Sequence, residues 1–96
     1  MSYRILIRKR AENHIAEAFD WYEKQRAGLG VEFLQSVEAS ILVLQNNPLL
    51  FQARHKNIRC ALTPRFPYGI YYLTGNDRVV VLSVFHLSRN PKHWRD

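Results

Sequence analysis

Apolar and polar positions along the chain change their period twice. Over Tyr3–Arg8, Ile5 and Ile7 alternate with the other face, where Leu6 adds some apolar character between Arg4 and Arg8, which predicts a short strand. From about Ala11 the spacing lengthens. Ile15, Phe19, Tyr22 and Arg26 recur at helical intervals, with Ala18 and Trp21 beside them. Glu12 near the start and Lys24 and Arg26 near the end suit the dipole of such a helix. Gly28-Leu29-Gly30 breaks it. A second helix is expected from Val31, with a stripe of Phe33 or Leu34, then Val37, Ile41 and Leu44. It stops at Asn46-Asn47-Pro48, because proline disfavours helix in the residue before it. The short break implies an antiparallel hairpin whose Phe19, Leu34, Val37, Ile41 and Leu44 face a sheet.

After an irregular stretch expected over 48–57, the period falls to two. Ile58, Cys60 and Leu62 alternate with Arg59, Ala61 and Thr63. Pro64-Arg65 turns the chain into an aromatic-rich strand over Phe66–Leu73. Gly75-Asn76-Asp77 has the chemistry of a hairpin turn into a last strand, Arg78–Phe85. The order is β-α-α-β-β-β in one domain over 1–96. The fold class is α+β, an antiparallel sheet packed against an N-terminal helical hairpin. The last strand is apolar on both sides, Val79, Val81 and Phe85 on one and Val80, Leu82 and Val84 on the other. A helical hairpin covers only one face of a sheet. The second face therefore needs a cover, either the C-terminal tail with Leu87 and Trp94 or another chain.

Composition narrows the class. Hydrophobic residues are 47% of the 96 and charged residues 23%, as in a folded globule. The longest apolar run, within Val79–Val84, is too short to span a bilayer, and MSYRILIRKR lacks the apolar core of a secretory signal. A single cysteine, Cys60, forms no internal disulfide and fits a reducing cytoplasm. The net charge of +6 is unevenly placed. Residues 1–48 hold six basic and six acidic side chains, and residues 49–96 hold eight basic and two acidic. Such a half suits a polyanionic partner.

The chemistry available is limited. The four histidines lack metal-binding spacing, no glycine-rich phosphate loop is present, and no nucleophile motif appears, so neither metal nor cofactor is expected. Metal-free RNA cleavage needs a base, an acid and cations for the phosphorane. The ending VFHLSRNPKHWRD offers His86, Arg89 and His93, with Arg59 and Arg65 on neighbouring strands. The same ending also reads as a docking surface, since Trp94 and Arg89 are of the types that carry interface energy.

Element order and motifs together resemble the RelE/ParE superfamily of toxins from type II toxin–antitoxin modules. The resemblance covers nearly the whole chain. It rests on YRILI, AEAFDWYEKQ, GVEFLQSVEASILVLQNNP, RFPYGIYYLTGNDRVVVLSVFH and HLSRNPKHW. It implies a cytoplasmic toxin neutralised by a cognate antitoxin, in plasmid stabilisation and growth inhibition, without cofactor or membrane. An antitoxin segment of acidic character would suit the basic half, on Val80, Leu82 and Val84 or along an adjacent sheet edge. Two mechanisms occur in the superfamily. RelE-like members cut mRNA in the ribosome, and ParE-like members poison DNA gyrase. Arg65 and His86 lie roughly where nuclease members keep an arginine and a C-terminal acid or base. Yet no tyrosine follows His86, and the lysine cluster of RelE is reduced to Lys56 and Arg59. The H-x-S-R-N ending is more similar to the ParE branch. That branch implies target binding through His86, Arg89, Trp94 and Arg65. The RelE branch would make catalytic candidates of His86, Arg65, Arg59 and Arg89. A third expectation is a non-toxic module that binds nucleic acid or protein.

Overall fold

The computed structural model describes residues 2–88. Along the chain run β1 (Arg4–Ile7), α1 (Lys9–Gln25), α2 (Leu29–Asn46), β2 (Ala53–His55), β3 (Ile58–Leu62), β4 (Tyr68–Thr74) and β5 (Arg78–His86). The α+β class and the helical hairpin are as the periodicity implies.

The two helices meet at glycines. Gly28 precedes α2 at φ +89°, a left-handed conformation that a side chain would strain. At Gly30 a Cβ would sit 2.8 Å from the Phe19 carbonyl oxygen and 2.7 Å from Glu23 Cγ, so only glycine lets the helices approach this closely. The Gly30 N–H donates to Glu23 Oε1 at 2.8 Å, which satisfies one amide of the α2 N-terminus. On α2, Phe33, Val37 and Leu44 are buried, while Leu34 and Ile41 are only partly so. Phe33 is therefore the core member of the expected pair. Leu34 packs against the core from its margin, and with Phe19 it lines a shallow groove beside Ile7 and Ile15. The two helices pack on each other as well as on the sheet, so part of each stripe is spent between them.

The sheet order is β1-β5-β4-β3-β2. It is mixed rather than wholly antiparallel, because β1 pairs parallel with β5 in the register Arg4↔Arg78 to Ile7↔Val81. A parallel pair requires a long crossover, and the helical hairpin lies within the connection between these strands. The stretch expected to be irregular contains β2, an edge strand paired with β3 through Ala53↔Arg59 and His55↔Ile58. Its sequence ARH has no apolar alternation to betray it.

A bulge in β5 corrects the expected division of its side chains. Tyr71 pairs with Ser83, but Tyr72 pairs with Val81, which leaves Leu82 as the extra residue. The alternation therefore changes phase. Val79 and Val81 face the helices before the bulge, and Val84 faces them after it, where it is 1% exposed in the core. Val84 does not share the outer face with Val80 and Leu82. Phe85, expected beside Val79 and Val81, moves to the outer side. The helix side is closed by an aromatic cluster, with Tyr22–Phe66 centroids at 4.9 Å and Phe33–Tyr68 at 5.0 Å. Burial and the neighbouring Tyr68 raise the pKa of Tyr22 above the usual tyrosine value. The Tyr72 hydroxyl donates to the Pro48 carbonyl at 2.5 Å and ties the chain after α2 to the sheet.

Candidate functional site

Because of the bulge, β5 ends with His86 on the helix side of the sheet. Its ring meets Tyr68, its cross-strand partner, edge-on at 5.3 Å. The Ser88 backbone N–H donates to His86 Nδ1 at 3.1 Å, and the Ser88 hydroxyl lies 2.8 Å from the same atom. A backbone N–H can only donate, so Nδ1 offers a lone pair there and the neutral ring keeps its proton on Nε2. Nε2 is then a hydrogen-bond donor. For it to take a proton as a general base, the ring would have to move its own proton to Nδ1 and give up its bond from the Ser88 amide.

Facing His86 is one stripe of α1. His14, Glu17, Ala18, Trp21 and Tyr22 stand at helical spacing and, with Tyr68, Val84, His86 and Ser88, line a cleft of about 530 Å³. β1 ends at Ile7 opposite Val81, so β5 runs on beyond its neighbour. There the Val84 amide donates to His14 Nδ1 at 3.2 Å, a side-chain substitute for a strand partner. Trp21 is 57% exposed at this cleft. Sequence reasoning singled out none of His14, Glu17 or Trp21 as functional. Their spacing beside the core stripe was the available signal, but nothing local says which part of the sheet that flank of the helix meets.

The other expected residues do not gather around His86. Arg65 lies at the same end of the sheet, in the turn between β3 and β4, with φ +71°. Ser36 donates its hydroxyl to the Pro64 carbonyl, and the Thr63 hydroxyl donates to Phe66 O at 2.7 Å. These bonds hold the turn. The Arg65 guanidinium sits 2.7 Å from Glu32 and 5.8 Å from the Phe66 ring centroid. Arg26 meets the other Glu32 oxygen at 3.0 Å. Hydrogen bonds from Arg65 and then Arg26 hold the Glu32 carboxyl below its usual pKa. Arg65 therefore already has a counter-ion. Arg59 lies toward the other end, opposite Tyr72, where it donates to Phe51 O at 2.6 Å. Tyr72 is four residues along β4 from the partner of His86, so the two sites stand about 13 Å apart along the strands and roughly 10 Å apart across them. Arg89 and Trp94, with His93, lie outside the described residues.

On the outer face, burial raises the Cys60 thiol, and burial followed by the Cys60 neighbour pushes Tyr71 up to about 12. Neither is poised as a nucleophile near neutral pH. Among the described residues no group of three or more His, Cys, Asp or Glu side chains could hold a metal ion, and no helix is long and apolar enough to cross a membrane.

Comparison with known proteins decides the family. The family model described as the ParE toxin of the type II toxin–antitoxin system, parDE, matches residues 5–91. The chain belongs to the ParE toxin family. Comparison with curated proteins finds no match. Among solved structures, a chain of the chromosomal ParDE toxin–antitoxin system from P. aeruginosa is similar, with a TM-score of 0.78 at 12% sequence identity. The alignment covers 91% of this ParE-family chain and 98% of that one. At such low identity the likeness speaks for the fold.

Proposed function

We propose that this ParE-family protein is a cytoplasmic toxin that inhibits growth by docking on DNA gyrase, not by cutting RNA, and that a cognate antitoxin neutralises it. Family membership supports the gyrase target. The observation that carries docking over cleavage is the Ser88 amide on His86 Nδ1, which occupies the lone pair of the neutral ring and leaves Nε2 unable to act as a base without a change of tautomer. The dispersal of Arg59 and the pairing of Arg65 with Glu32 argue the same way. Docking uses His86 and Arg65 as surface contacts, extended by Arg89 and Trp94. The antitoxin is a protein segment of acidic character, anchored on the outer face at Val80 and Leu82.

Induction of the chain alone, with gyrase supercoiling and ribosome-bound mRNA followed separately, tests this reading. Loss of supercoiling with intact mRNA is expected. His86→Gln should leave growth inhibition mostly intact, and Arg89→Ala with Trp94→Ala should abolish it. Cuts in ribosome-bound mRNA that disappear with His86→Gln would replace docking with the RelE-like nuclease.

A further inference from the structure

We infer that the exposed apolar patch at the end of α2 is a self-association surface, closed by the same patch of a second copy of this chain. Residues 39–53 are the longest run of the chain without an acidic or basic side chain, 15 positions between Glu38 and Arg54. Within it Leu42, Leu49 and Leu50 are 58–61% exposed, more than any other large apolar side chain among the described residues. Val43 is exposed beside Leu42. Hydrogen bonds gather these residues on one surface. Asn46 Nδ2 donates to the Leu42 carbonyl at 2.9 Å, and the Asn47 N–H donates to the Val43 carbonyl at 2.8 Å. The Leu50 N–H then donates to the Asn47 carbonyl at 3.2 Å, a turn that keeps Leu49 and Leu50 next to the end of the helix. A contiguous exposed patch of this make-up marks a contact site.

Charge and polar chemistry select the occupant. The chain carries a net charge of +6, so two copies repel wherever their basic surfaces meet. A face without charged side chains escapes that repulsion. It also gives an acidic segment no cation to pair with, unlike the outer face of the sheet, where Arg4 and Arg78 are neighbours in register. The exposed polar side chains within the run are the amides Asn46, Asn47 and Gln52. An amide both donates and accepts, so it can pair with its own copy across a twofold axis, which a carboxylate or a guanidinium cannot. Arg59 borders Leu49 in a neighbouring hollow, but its guanidinium donates to the Phe51 carbonyl at 2.6 Å. Position suits a pair as well. The Tyr3 N–H donates to the Gln45 carbonyl at 2.8 Å, which ties this end of α2 to the start of β1, opposite the start of β5 at Arg78. His86 is at the other end of β5, roughly 25 Å along the strand. Contact through the α2 ends therefore leaves both His86 ends uncovered.

Sedimentation velocity of the purified chain over a concentration series tests the surface, without gyrase, antitoxin or cell growth. A reversible monomer–dimer equilibrium is expected, with a dissociation constant on the order of 10–100 μM, as suits a small patch. The dimer should hold or tighten between about 0.1 and 0.5 M salt, because salt screens the repulsion of two basic chains and finds no ion pair to weaken. Leu42→Lys and Leu49→Lys each bring like charges together across the contact and should weaken it at least about 10-fold. Leu62→Lys, on the outer face of the sheet, should leave it unchanged. All three positions are more than half exposed, and unchanged thermal unfolding confirms the fold of each variant. Where a variant unfolds, the concentration and salt dependence of the wild-type chain still decides. A chain that stays monomeric up to about 1 mM overturns the inference. So does a dimer that salt dissociates, or one that Leu42→Lys and Leu49→Lys leave intact. A monomeric wild-type chain whose antitoxin binding is lost with Leu42→Lys would overturn it too, and give the patch to the antitoxin.

Discussion

The two faces of the sheet are built from similar strands but end differently. The helix side is finished within the chain. Ile70, Tyr72, Val79, Val81 and Val84 are each no more than 1% exposed there, under α1 and α2. On the outer side Cys60, Ser83 and Phe85 are buried, but Val80 and Leu82 are only partly so and Leu62 is 51% exposed. Charge divides the same way. The helical segment 9–46 holds four basic and six acidic side chains, whereas the rest of the described residues hold seven basic and one acidic. By strand alternation, Arg4 and Arg78, neighbours in register, stand on the outer face. Arg54 belongs there too, close enough to Cys60 and Tyr71 to lower their pKa values against the larger effect of burial. One face is thus an interior, and the other has the make-up of an interface: apolar anchors within a basic rim.

The largest effect should come from cutting into the finished face. Phe33 is fully buried between Tyr22, Phe66 and Tyr68, with centroids at 5.0–5.5 Å. Phe33→Ala leaves a cavity that three aromatic rings cannot readily close, and it should cost about 3–5 kcal/mol in urea unfolding. A loss below about 1 kcal/mol would mean that the aromatic cluster is not the core.

How far this division was legible in the sequence depends on what sets each part. The helices and the last three strands announced themselves, since their apolar periods are the direct consequence of facing a core. Phe33 and Leu34 were both candidates because adjacent residues share a helical flank until the partner helix is placed. The bulge at Leu82 left no mark, because VVVLSV is apolar in either phase; pairing with β4 decides the register. β2 was hidden for a related reason, as an edge strand held by backbone bonds needs no side-chain pattern. His86 was visible as the first polar residue after an apolar run. His14, Glu17 and Trp21 were not, because their meeting with β5 depends on β1 being too short to cover it.

A smaller effect, and one that separates the faces, is expected from Leu82→Ser with Arg54→Ser. Leu82 lies on the bulge and is only partly buried, and Arg54 is exposed. Stability should change by less than about 1 kcal/mol, as for surface changes outside the core. Binding of the cognate antitoxin should weaken roughly 10- to 100-fold, with less salt dependence than the wild type, since an apolar anchor and a steering charge are lost together. Measured by surface plasmon resonance at two salt concentrations, unchanged affinity would move the antitoxin off this face and onto a sheet edge or the helices.

The smallest effect should come from Glu32→Gln, at the seam where the acidic layer touches the basic one. Glu32 accepts from Arg65 of the β3–β4 turn and from Arg26 at the end of α1, so one carboxylate links three elements. The two guanidinium groups are 66% and 59% exposed, and solvent and salt screen such pairs heavily. The sign of the pH effect follows from the pKa. The folded Glu32 carboxyl titrates below its ordinary value of 4.5, so its stabilising contribution is present above that pH and is lost as the pH falls through the lower folded value. Glu32→Gln should therefore lower thermal stability slightly at neutral pH and leave it unchanged at a pH low enough to protonate the wild-type carboxyl. The same variant frees Arg65. If docking uses that guanidinium, growth inhibition should be maintained or rise while stability drops, which a purely structural ion pair would not produce. A fall in toxicity that tracks the loss of stability would instead make the pair a brace for the turn and remove Arg65 from the docking surface.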